Sequence, residues 1–318
     1  MVKWGVISTG TISKAFCDSI RYSKEGKLSA VASRSSKNLK YFSDKYGVKT
    51  YDSYDALLND SSIDAIYIGT PHNSHFNLSL KTLRSGKHLL CEKPMTMNST
   101  EAMILLNEAR SLNLFFMEAF MYRCHPLTHK MLELVKQEFT NEEVLIEASF
   151  GFTADVDEKH RLNNPELGGG SILDIGCYPL SMARLIAGSL VEKSFADPLK
   201  ISASGELSSN NIDLNAKAEL EFSPKIKASI KAAINEEYEN SLRVSSGNKQ
   251  FFIKEPWHCG QFQGKKAEIK ILENNQEKII EVTDDKGLFT REIDEASSCI
   301  KAGKIESTFM SHADSLSN

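Results

Sequence analysis

Lys93, Asp174 and Tyr178 are the side chains whose types and surroundings suit them to moving a proton. Lys93 follows an apolar strand pattern, and in a parallel sheet the carboxyl end of a strand faces the ligand crevice. Burial at that edge fits a lysine for proton transfer by lowering its pKa. Tyr178 comes four residues after Asp174, so a helix beginning nearby places both on one face. A nearby cation favours a tyrosine phenolate, which makes Tyr178 a candidate acid/base group.

Each of these residues also has an ordinary structural interpretation. A lysine after a strand is usually a solvated surface residue, an aspartate before a helix is often a cap, and a tyrosine is often a packing residue. Three glycines, Gly168 to Gly170, precede Asp174 and predict a loop that is mobile or closely approached by other backbone. The chemistry therefore depends on the elements that position these side chains.

A turn suited to phosphate binding follows the first strand pattern. The sequence runs Ser8-Thr9-Gly10-Thr11-Ile12-Ser13 into a helix. It occupies the place of a Gly-x-Gly-x-x-Gly dinucleotide loop, with serines replacing the outer glycines. Exposed backbone N–H groups at a helix N-terminus bind a pyrophosphate, and Gly10 permits close approach. The turn predicts a cofactor site at residues 8–12, and the alternative is an ordinary strand-to-helix turn.

The end of the second strand distinguishes the two nicotinamide cofactors. An acidic residue there binds the adenine-ribose hydroxyls of NAD. Here the strand is followed by Ser33, Arg34 and Lys37, and no acid is present. A guanidinium can fork onto a phosphate, and the neighbouring donors can add to it. These residues favour NADP(H) over NAD(H), while the alternative is a solvated basic turn.

Strands and helices alternate over the first 120 residues, which predicts right-handed βαβ units and a parallel sheet. The predicted strands are Val2–Ser8, Leu28–Ser33, Ala65–Gly69, His88–Glu92 and Leu114–Glu118. They are nearly all apolar, as expected for strands covered on both faces. Asn98 with Glu101 resembles a capping box that opens a helix.

The second half of the chain changes to a period of two, which is typical of antiparallel strands. Apolar residues alternate along residues 212–222 and again along 226–234, with a Ser223-Pro224 turn between them. Further strands are predicted at 143–154, 241–246, 250–254, 266–271 and 277–282, and helices at 126–138, 178–187 and 290–302. The fold class is therefore α/β: an N-terminal Rossmann doubly wound domain, residues 1–120, and a C-terminal α+β domain with a large, mostly antiparallel sheet, residues 121–318.

Composition excludes several classes of partner. The 318-residue chain has a formal net charge of −4, which argues against a nucleic-acid-binding role. No apolar stretch is long enough to predict a transmembrane helix, and the first residues lack the pattern of a signal peptide. Six scattered cysteines without a C-x-x-C pair indicate reduced core thiols. We expect a cytoplasmic protein with no nucleic-acid or membrane partner.

Taken in order, several motifs resemble the glucose–fructose oxidoreductase and inositol dehydrogenase (Gfo/Idh/MocA) family. They are the Ser-x-Gly turn, Gly69-Thr70-Pro71-His72-Asn73-Ser74-His75, Glu92-Lys93-Pro94, and the Gly-Gly-Gly-x-x-x-Asp-x-Gly-x-Tyr that ends at Tyr178. Within the family the sequence is most similar to the branch of dimeric dihydrodiol dehydrogenases and NADP-dependent D-xylose dehydrogenases. The Asp-Ile-Gly-Cys-Tyr segment and the Ser-Arg after the second strand carry this narrower likeness, which spans nearly the whole chain.

The resemblance implies roles for individual residues. Lys93 matches the family's essential lysine. Tyr178 matches the position that acts as the acid/base, and Asp174 matches the acid that orients either the substrate or this acid/base residue. The loop beside the nicotinamide and its ribose corresponds to Thr70, Pro71, His72 and Asn73, and Glu92 also lies there. Arg123 and Arg161 match positions near the cofactor or substrate. The resemblance also implies a homodimer formed through the C-terminal sheet.

Three functions remain open at this stage. The first is an enzyme that passes hydride between NADP(H) and a secondary or hemiacetal alcohol of a sugar or cyclic diol, with Tyr178 or Lys93 as the proton acceptor. The second is a non-catalytic NADPH-binding sensor or regulatory protein, which has no need of an acid/base set. The third is a metalloenzyme using His72 with His75, or His125 with His129. A zinc site needs three or four convergent donors, so we expect no metal.

Overall fold

The structure is a computed structural model that describes residues 1–157, 159–259 and 267–318. Contacts within the chain divide it into two units. The first unit consists of Met1–Cys124 and Lys286–Ser317, and the second of His125–Asp285 with Asn318.

The first unit is built on a six-stranded parallel sheet with strand order β3-β2-β1-β4-β5-β6. Its strands are β1 Val2–Ile7, β2 Gly26–Ala32, β3 Lys49–Tyr51, β4 Ala65–Ile68, β5 His88–Glu92 and β6 Phe116–Ala119. Its helices are α1 Thr11–Ile20, α2 Ser36–Tyr46, α3 Tyr54–Leu58, α4 His75–Arg84, α5 Ser99–Ser111, α8 Leu288–Lys301 and α9 His312–Ser317. Every residue of β4 is buried, because helices cover both faces of this sheet.

The strand order reverses between β1 and β4, which opens a crevice at the carboxyl ends of the strands. The segments that follow β1, β2, β4 and β5 all begin at this edge. They hold most of the residues that the sequence predicts to bind a cofactor. The predicted Rossmann fold of the first unit is confirmed.

The last two helices of the chain differ from the sequence-based prediction, which assigned all of residues 121–318 to the second domain and predicted no helix at 312–317. They pack on the first unit instead. Trp4 of β1 donates its indole N–H to Ser297 of α8 at 3.0 Å, and the backbone N–H of Phe116 bonds the carbonyl of Ile305 at 3.0 Å. The sequence pattern around 290–302 predicts an amphipathic helix but carries no information about which sheet receives its apolar face.

The second unit is built on an eight-stranded sheet with order β14-β13-β12-β11-β7-β10-β9-β8. Its strands are β7 Val144–Gly151, β8 Lys200–Leu207, β9 Asp213–Ser223, β10 Ile226–Ala233, β11 Ser241–Ser246, β12 Lys249–Lys254, β13 Ala267–Glu273 and β14 Gln276–Val282. Neighbours are antiparallel except β7 and β10, so the predicted mostly antiparallel sheet is confirmed. The strand predicted at 266–271 corresponds to β13, and residue 266 itself lies outside the described residues. The sequence did not predict β8, whose residues are all exposed.

Two helices, α6 Pro126–Phe139 and α7 Cys177–Leu190, pack on this sheet. The apolar positions of its strands, such as Ile146, Ala228 and Val244, are buried. The alternate positions on the same strands carry Glu147, Ser229 and Arg243 on the opposite face. The strict alternation read from the sequence therefore separates a helix-covered face from a polar face.

The predicted capping box of α5 is present in a modified form. The side chain of Asn98 accepts a hydrogen bond from the N–H of Glu101 at 3.0 Å, as expected for an N-cap. The carboxylate of Glu101 accepts from the N–H of Met97 at 3.2 Å, rather than from Asn98 as in the standard motif. This bond helps to fix the segment that connects β5 to α5.

All six cysteines are free thiols, and five are buried, as the sequence predicts; Cys177 is partly exposed. Burial raises the pKa of Cys91 and Cys124, so neither thiol is a nucleophile at neutral pH. Among the helices of the described residues, none combines the length and the hydropathy of a membrane-spanning segment.

An ion pair buried in the first unit generates a test of how α9 is held. Arg123 and Asp314 form this pair with only 1% and 3% of their side chains exposed. Asp314→Asn removes the negative charge from this pair, and breaking a buried pair costs about 3 kcal/mol. We expect that loss in the free energy of unfolding, measured by urea denaturation. Asp44→Asn, which breaks the exposed pair with Lys40, is the control and costs less than about 0.5 kcal/mol. Equal losses in the two variants would contradict the assignment.

Candidate functional site

The turn from β1 to α1 has the geometry of an anion site. Gly10 is the N-cap of α1, and no side chain caps the first turn. That turn contains no acidic residue. Its N–H groups and the positive end of the helix dipole therefore favour a negatively charged group.

Gly10 of this turn and Gly69, which faces it from the end of β4, are glycines for different reasons. A Cβ on Gly10 would meet nothing closer than the hydroxyl of Ser8 at 3.4 Å, so the chain itself leaves room above it. A Cβ on Gly69, at the end of β4, would lie 2.6 Å from the hydroxyl of Ser13. Gly69 is required for close helix–sheet packing, whereas the space above Gly10 fits a phosphate. The residues of the turn thus fit a dinucleotide pyrophosphate.

Ser8 takes the place of the first glycine of the Gly-x-Gly-x-x-Gly loop and adopts a strained backbone conformation there. Its φ of +103° is a backbone angle that glycine adopts readily and serine rarely does. Its hydroxyl accepts a hydrogen bond from the N–H of Gly10 at 3.1 Å. This bond stabilises the tight turn in the absence of a glycine.

The segment after β2 presents a cluster of hydroxyl and cationic groups. The hydroxyls of Ser33 and Thr9 are 2.8 Å apart, and the side chain of Asn38 donates to Thr9 at 3.2 Å. Arg34 and Lys37 are exposed. The hydrogen bonds connect the pyrophosphate turn to the predicted 2′-phosphate site, and the two cations are available to a ligand phosphate.

His75 joins the two loops that the sequence places beside the nicotinamide. Its ring Nε2 lies 2.7 Å from the carbonyl oxygen of Thr70, and Nδ1 lies 2.8 Å from that of Pro94. Burial lowers the pKa of His75, and the charge of Lys93 lowers it further, while the two carbonyls oppose the shift. A neutral imidazole has one N–H, so it donates to one of these carbonyls at neutral pH. The ring is therefore committed to the backbone rather than to a metal.

The Thr70–Asn73 loop runs into a short 3₁₀ turn, His72–Ser74, which leads into α4. The hydroxyl of Ser74 donates to that of Thr70 at 2.7 Å. Pro71 and Asn73 are exposed, while His72 is buried. The loop is thus held at its base and open at its tip.

Glu92 is buried at the end of β5 and is fixed by a tyrosine. The hydroxyl of Tyr67 donates to its carboxylate at 2.6 Å, and the Tyr67 ring stacks on Phe16 at 4.0 Å. Burial raises the pKa of Tyr67, and the charges of Glu92 and Glu292 add to this effect. Tyr67 therefore remains a donor at all ordinary pH values.

Lys93 is half-buried and follows directly after Glu92. Its charge acts on two buried neighbours, since it lowers the pKa of both His75 and Glu118. The Lys93–Pro94 peptide bond is cis. Because Lys93 follows β5 and the uncapped turn of α1 follows β1 in the same parallel sheet, both lie at the same sheet edge.

The glycine loop of the second unit is closely packed. A Cβ on Gly169 would lie 2.5 Å from the carbonyl oxygen of Leu162, and Gly170, at a φ of +113°, lies against Asp213. Asp213 in turn accepts hydrogen bonds from the Ser171 hydroxyl at 2.8 Å and from the Ile172 N–H at 2.6 Å. Of the two predicted states, the closely approached loop is the one observed.

Asp174 and Arg161 form an ion pair within the second unit. The guanidinium donates to the carboxylate at 2.8 Å, with 44% of the arginine side chain exposed and 6% of the aspartate. Asp174 lies in a short π-helical turn, Ile172–Gly176, that leads into α7. Such turns often occur at functional sites. The pair fixes the carboxylate one helical turn before Tyr178.

Tyr178 lies in the first turn of α7 and is 5% exposed. Its ring contacts Phe150 edge-on at 5.5 Å and Trp257 at 5.9 Å. These aromatic rings restrict the phenol to few orientations. A fixed orientation is what a proton-transfer group requires.

Two predicted residues have structural partners. Arg123 is buried in the ion pair with Asp314, so it holds α9 to the first unit. A contact of Arg123 with cofactor or substrate stays a prediction.

His125 is the N-cap of α6, as Pro126 predicts, and its Nε2 lies 3.2 Å from Asp284. Within the described residues, no three His, Cys, Asp or Glu side chains form a group suited to a metal ion.

Sequence reasoning missed Tyr67, Glu118 and Glu292. Each is a polar residue inside an apolar run or on the apolar face of a helix, and each is buried. A charged residue at such a position is rare without a partner or a role. A polar residue in such a position was the available signal of a buried polar contact. The sequence could not identify the partners of these residues, because they come from distant parts of the chain.

Two family profiles match this chain. One is described as an oxidoreductase family with an NAD-binding Rossmann fold, GFO/IDH/MocA, and covers residues 2–120. The other is described as the GFO/IDH/MocA C-terminal domain and covers residues 128–249.

Individual proteins agree with the profiles. The trans-1,2-dihydrobenzene-1,2-diol dehydrogenase of Xenopus laevis is 35% identical over 235 residues, which are 73% of this chain and 69% of that protein. A D-xylose 1-dehydrogenase (NADP(+)) of Haloferax volcanii is 36% identical over 188 residues, 58% of this chain and 57% of that protein. A mutant of the 3-ketoreductase KijD10 from Actinomadura kijaniata, solved with NADP and TDP-benzene, has the same fold: the TM-score is 0.86 at 22% identity, covering 99% of this chain and 94% of that one. The chain belongs to the Gfo/Idh/MocA family of oxidoreductases.

Proposed function

We propose that this protein is an NADP-dependent dehydrogenase that acts on a secondary or hemiacetal alcohol of a sugar or a cyclic diol. One observation carries the proposal: half-buried Lys93 lies at the sheet edge that also holds the uncapped first turn of α1. A cofactor bound along that edge would have its pyrophosphate at α1 and its reactive end near Lys93. The membership of the chain in an oxidoreductase family favours catalysis over a purely binding role.

The cofactor supplies the hydride chemistry, and the chain binds it and handles the proton. Residues 8–12 hold the pyrophosphate, and Thr70 to Asn73 with Glu92 contact the nicotinamide and its ribose. Ser33, Arg34 and Lys37 bind the 2′-phosphate, which accounts for a preference for NADP(H). Relatives named as NADP(+)-dependent xylose dehydrogenases support this preference.

Proton removal from the alcohol is assigned to Tyr178. Lys93 is assigned to the nicotinamide end of the cofactor, where its ammonium would donate a hydrogen bond to a substrate oxygen. Asp174, fixed by Arg161, orients the substrate or Tyr178. The alternative is that Lys93 is the base. In that case the variant Tyr178→Phe would retain turnover.

The substrate class follows from the relatives and from the proposed acid/base set. Relatives are named for a dihydrodiol and for D-xylose, which are both polyhydroxylated. Their shared chemistry is a ring carbon bearing a hydroxyl with a second hydroxyl close by. Arg161 and Asp174 provide a donor and an acceptor for such a neighbouring hydroxyl.

Replacing the lysine separates catalysis from binding. Lys93→Met removes the ammonium and leaves the pyrophosphate turn intact. We expect turnover to fall by roughly 10³-fold or more, with NADPH binding by fluorescence titration nearly unchanged. Lys81→Met, at an exposed lysine paired with Asp55, is the matched control and keeps full activity. Wild-type turnover in Lys93→Met would refute the role.

Arg34 provides a test of cofactor choice. Arg34→Ala removes a cation that binds the 2′-phosphate but does not touch NAD⁺. We expect the kcat/KM ratio of NADP⁺ over NAD⁺ to fall about 10- to 100-fold, since a charged hydrogen bond contributes about 1.5–3 kcal/mol. Arg84→Ala, at an exposed arginine paired with Glu108, leaves the ratio unchanged. An unaltered ratio in Arg34→Ala would place the 2′-phosphate elsewhere.

We further propose that the enzyme is a cytoplasmic homodimer joined through the polar face of its eight-stranded sheet. Charges of opposite sign lie side by side there: Glu147 of β7 is paired in register with Arg243 of β11, and Lys227 of β10 with Glu221 of β9. Such an alternating face is complementary to a second copy of itself. The six free thiols support a reducing compartment.

The dimer is tested by measuring mass in solution. Sedimentation equilibrium of the wild type is expected to give twice the 35.4 kDa chain mass. Ser229→Trp introduces a bulky side chain at the centre of the polar face and is expected to yield the single-chain mass. Ser62→Trp, exposed in the first unit, is the control and stays dimeric. A wild type that sediments as one chain at micromolar concentration would overturn this proposal.

A further inference from the structure

Two buried carboxyl groups lie on opposite faces of the sheet beside Lys93. Glu92 ends β5, and Glu118 lies on the neighbouring strand β6, paired in register with Cys91. Because successive side chains of a strand point to opposite faces, Glu118 and Glu92 face different helices. Glu92 contacts Tyr67, while Glu118 faces the helix α9. The function proposed above uses Glu92 and leaves Glu118 unexplained.

Glu118 holds the backbone just after Lys93. Its carboxylate accepts a hydrogen bond from the N–H of Met95 at 2.9 Å. Met95 is 3% exposed and Glu118 is 5% exposed, so water is not available to replace this bond. The bond therefore fixes the position of the Lys93-Pro94-Met95 turn relative to β6.

The charges that surround Glu118 come from several elements. Burial raises its pKa to about 7, and the Met95 N–H, the Ser315 hydroxyl and the cations of Lys93 and Arg123 act in the opposite direction. Asp314, the partner of Arg123, lies on α9 next to Ser315. Cys91 faces the same side of the sheet, and its own pKa is raised above the neutral range by burial. Glu118 thus changes charge near neutral pH, whereas the thiol of Cys91 does not.

We propose that Glu118 is a positioning residue for Lys93: it anchors the turn that carries the lysine and supplies a buried counter-charge that keeps the ammonium protonated. This deepens the function proposed above, since it names how the same site controls its lysine. An opposite charge close to an amine favours the charged form. When Glu118 takes up a proton, that support is withdrawn and the ammonium loses its proton more readily.

The test measures Lys93 itself rather than turnover. The full chain is labelled with trace acetic anhydride from pH 6 to 11, and the rate at Lys93 is followed by mass spectrometry. Glu118→Gln keeps an acceptor for the Met95 N–H and removes the charge. We expect the Lys93 inflection in Glu118→Gln to move to lower pH by about one unit. NADPH binding is expected to stay within twofold of the wild type.

Glu101→Gln is a matched control, because Glu101 also accepts a hydrogen bond from a backbone N–H of this segment, that of Met97 at 3.2 Å. Its Lys93 inflection is expected to equal that of the wild type. The wild-type profile alone provides a second measurement that needs no variant: an additional inflection at about pH 7, where Glu118 titrates.

Stability provides an independent readout with a definite sign. The native pKa of Glu118, about 7, is above the ordinary value of 4.5, so the native chain binds a proton that the unfolded chain has released between these values. Wild-type stability therefore loses this contribution as pH rises from about 5 through 7. The stability of Glu118→Gln relative to the wild type is expected to increase over that range.

The outcomes separate this inference from the proposed function. An unshifted Lys93 inflection in Glu118→Gln, or an equal shift in Glu101→Gln, overturns the role of Glu118. A shifted inflection in a protein without dehydrogenase activity supports the role of Glu118 and refutes the proposed function. With activity present, the alkaline limb of the kcat profile is expected to follow the Lys93 inflection in each variant, and KM for NADP⁺ to stay constant.

Discussion

A lysine that is half removed from water needs acceptors and opposite charge in fixed places, and this requirement organises the first unit. Lys93 stands at the end of β5, where the backbone on both sides of it is anchored. Glu92 is bound by Tyr67 on one face of the sheet, and Glu118 binds Met95 on the other. His75 adds a link between the carbonyls of Pro94 and Thr70. The side chain of each anchor is buried, so its hydrogen bonds are shielded from water and the backbone that carries the lysine is held in one place.

A further buried carboxyl group of the first unit, that of Glu292, lies close enough to Glu92 for the two charges to interact. Glu292 of α8 is fully buried, and neither of its carboxyl oxygens has a hydrogen-bond partner among the described residues. Burial raises its pKa well above the ordinary value, and the charge of Glu92 raises it further. Both effects favour the protonated form of the Glu292 carboxyl group. A neutral Glu292 costs less to bury than a second carboxylate.

The second unit positions its groups by packing rather than by charge alone. The glycine loop lies against Leu162 and Asp213 so closely that a Cβ would collide. This contact places the π-helical turn that carries Asp174, and the aromatic rings of Phe150 and Trp257 enclose Tyr178. A rigid sheet with side chains supplied from a helix start and a loop is a common arrangement for binding sites.

The sequence by itself determined most of the elements, although not β3, β8 or α9, and the residue types of the site. Buried parallel strands need apolar residues on both faces, and exposed antiparallel strands alternate, so periodicity predicted both sheets and most strand bounds. The α1 turn, the basic segment after β2 and the lysine after β5 were found because their chemistry depends on local order along the chain.

Only the tertiary structure decided which distant groups meet. It placed α8 and α9 on the first unit and paired Arg123 with Asp314. It also set the two ring nitrogens of His75 against backbone carbonyls rather than a metal. It also revealed that Glu118 holds the turn after Lys93. The physical reason is that burial and hydrogen bonding depend on neighbours that lie tens to hundreds of residues away, whereas periodicity and turn chemistry report only on residues a few positions apart.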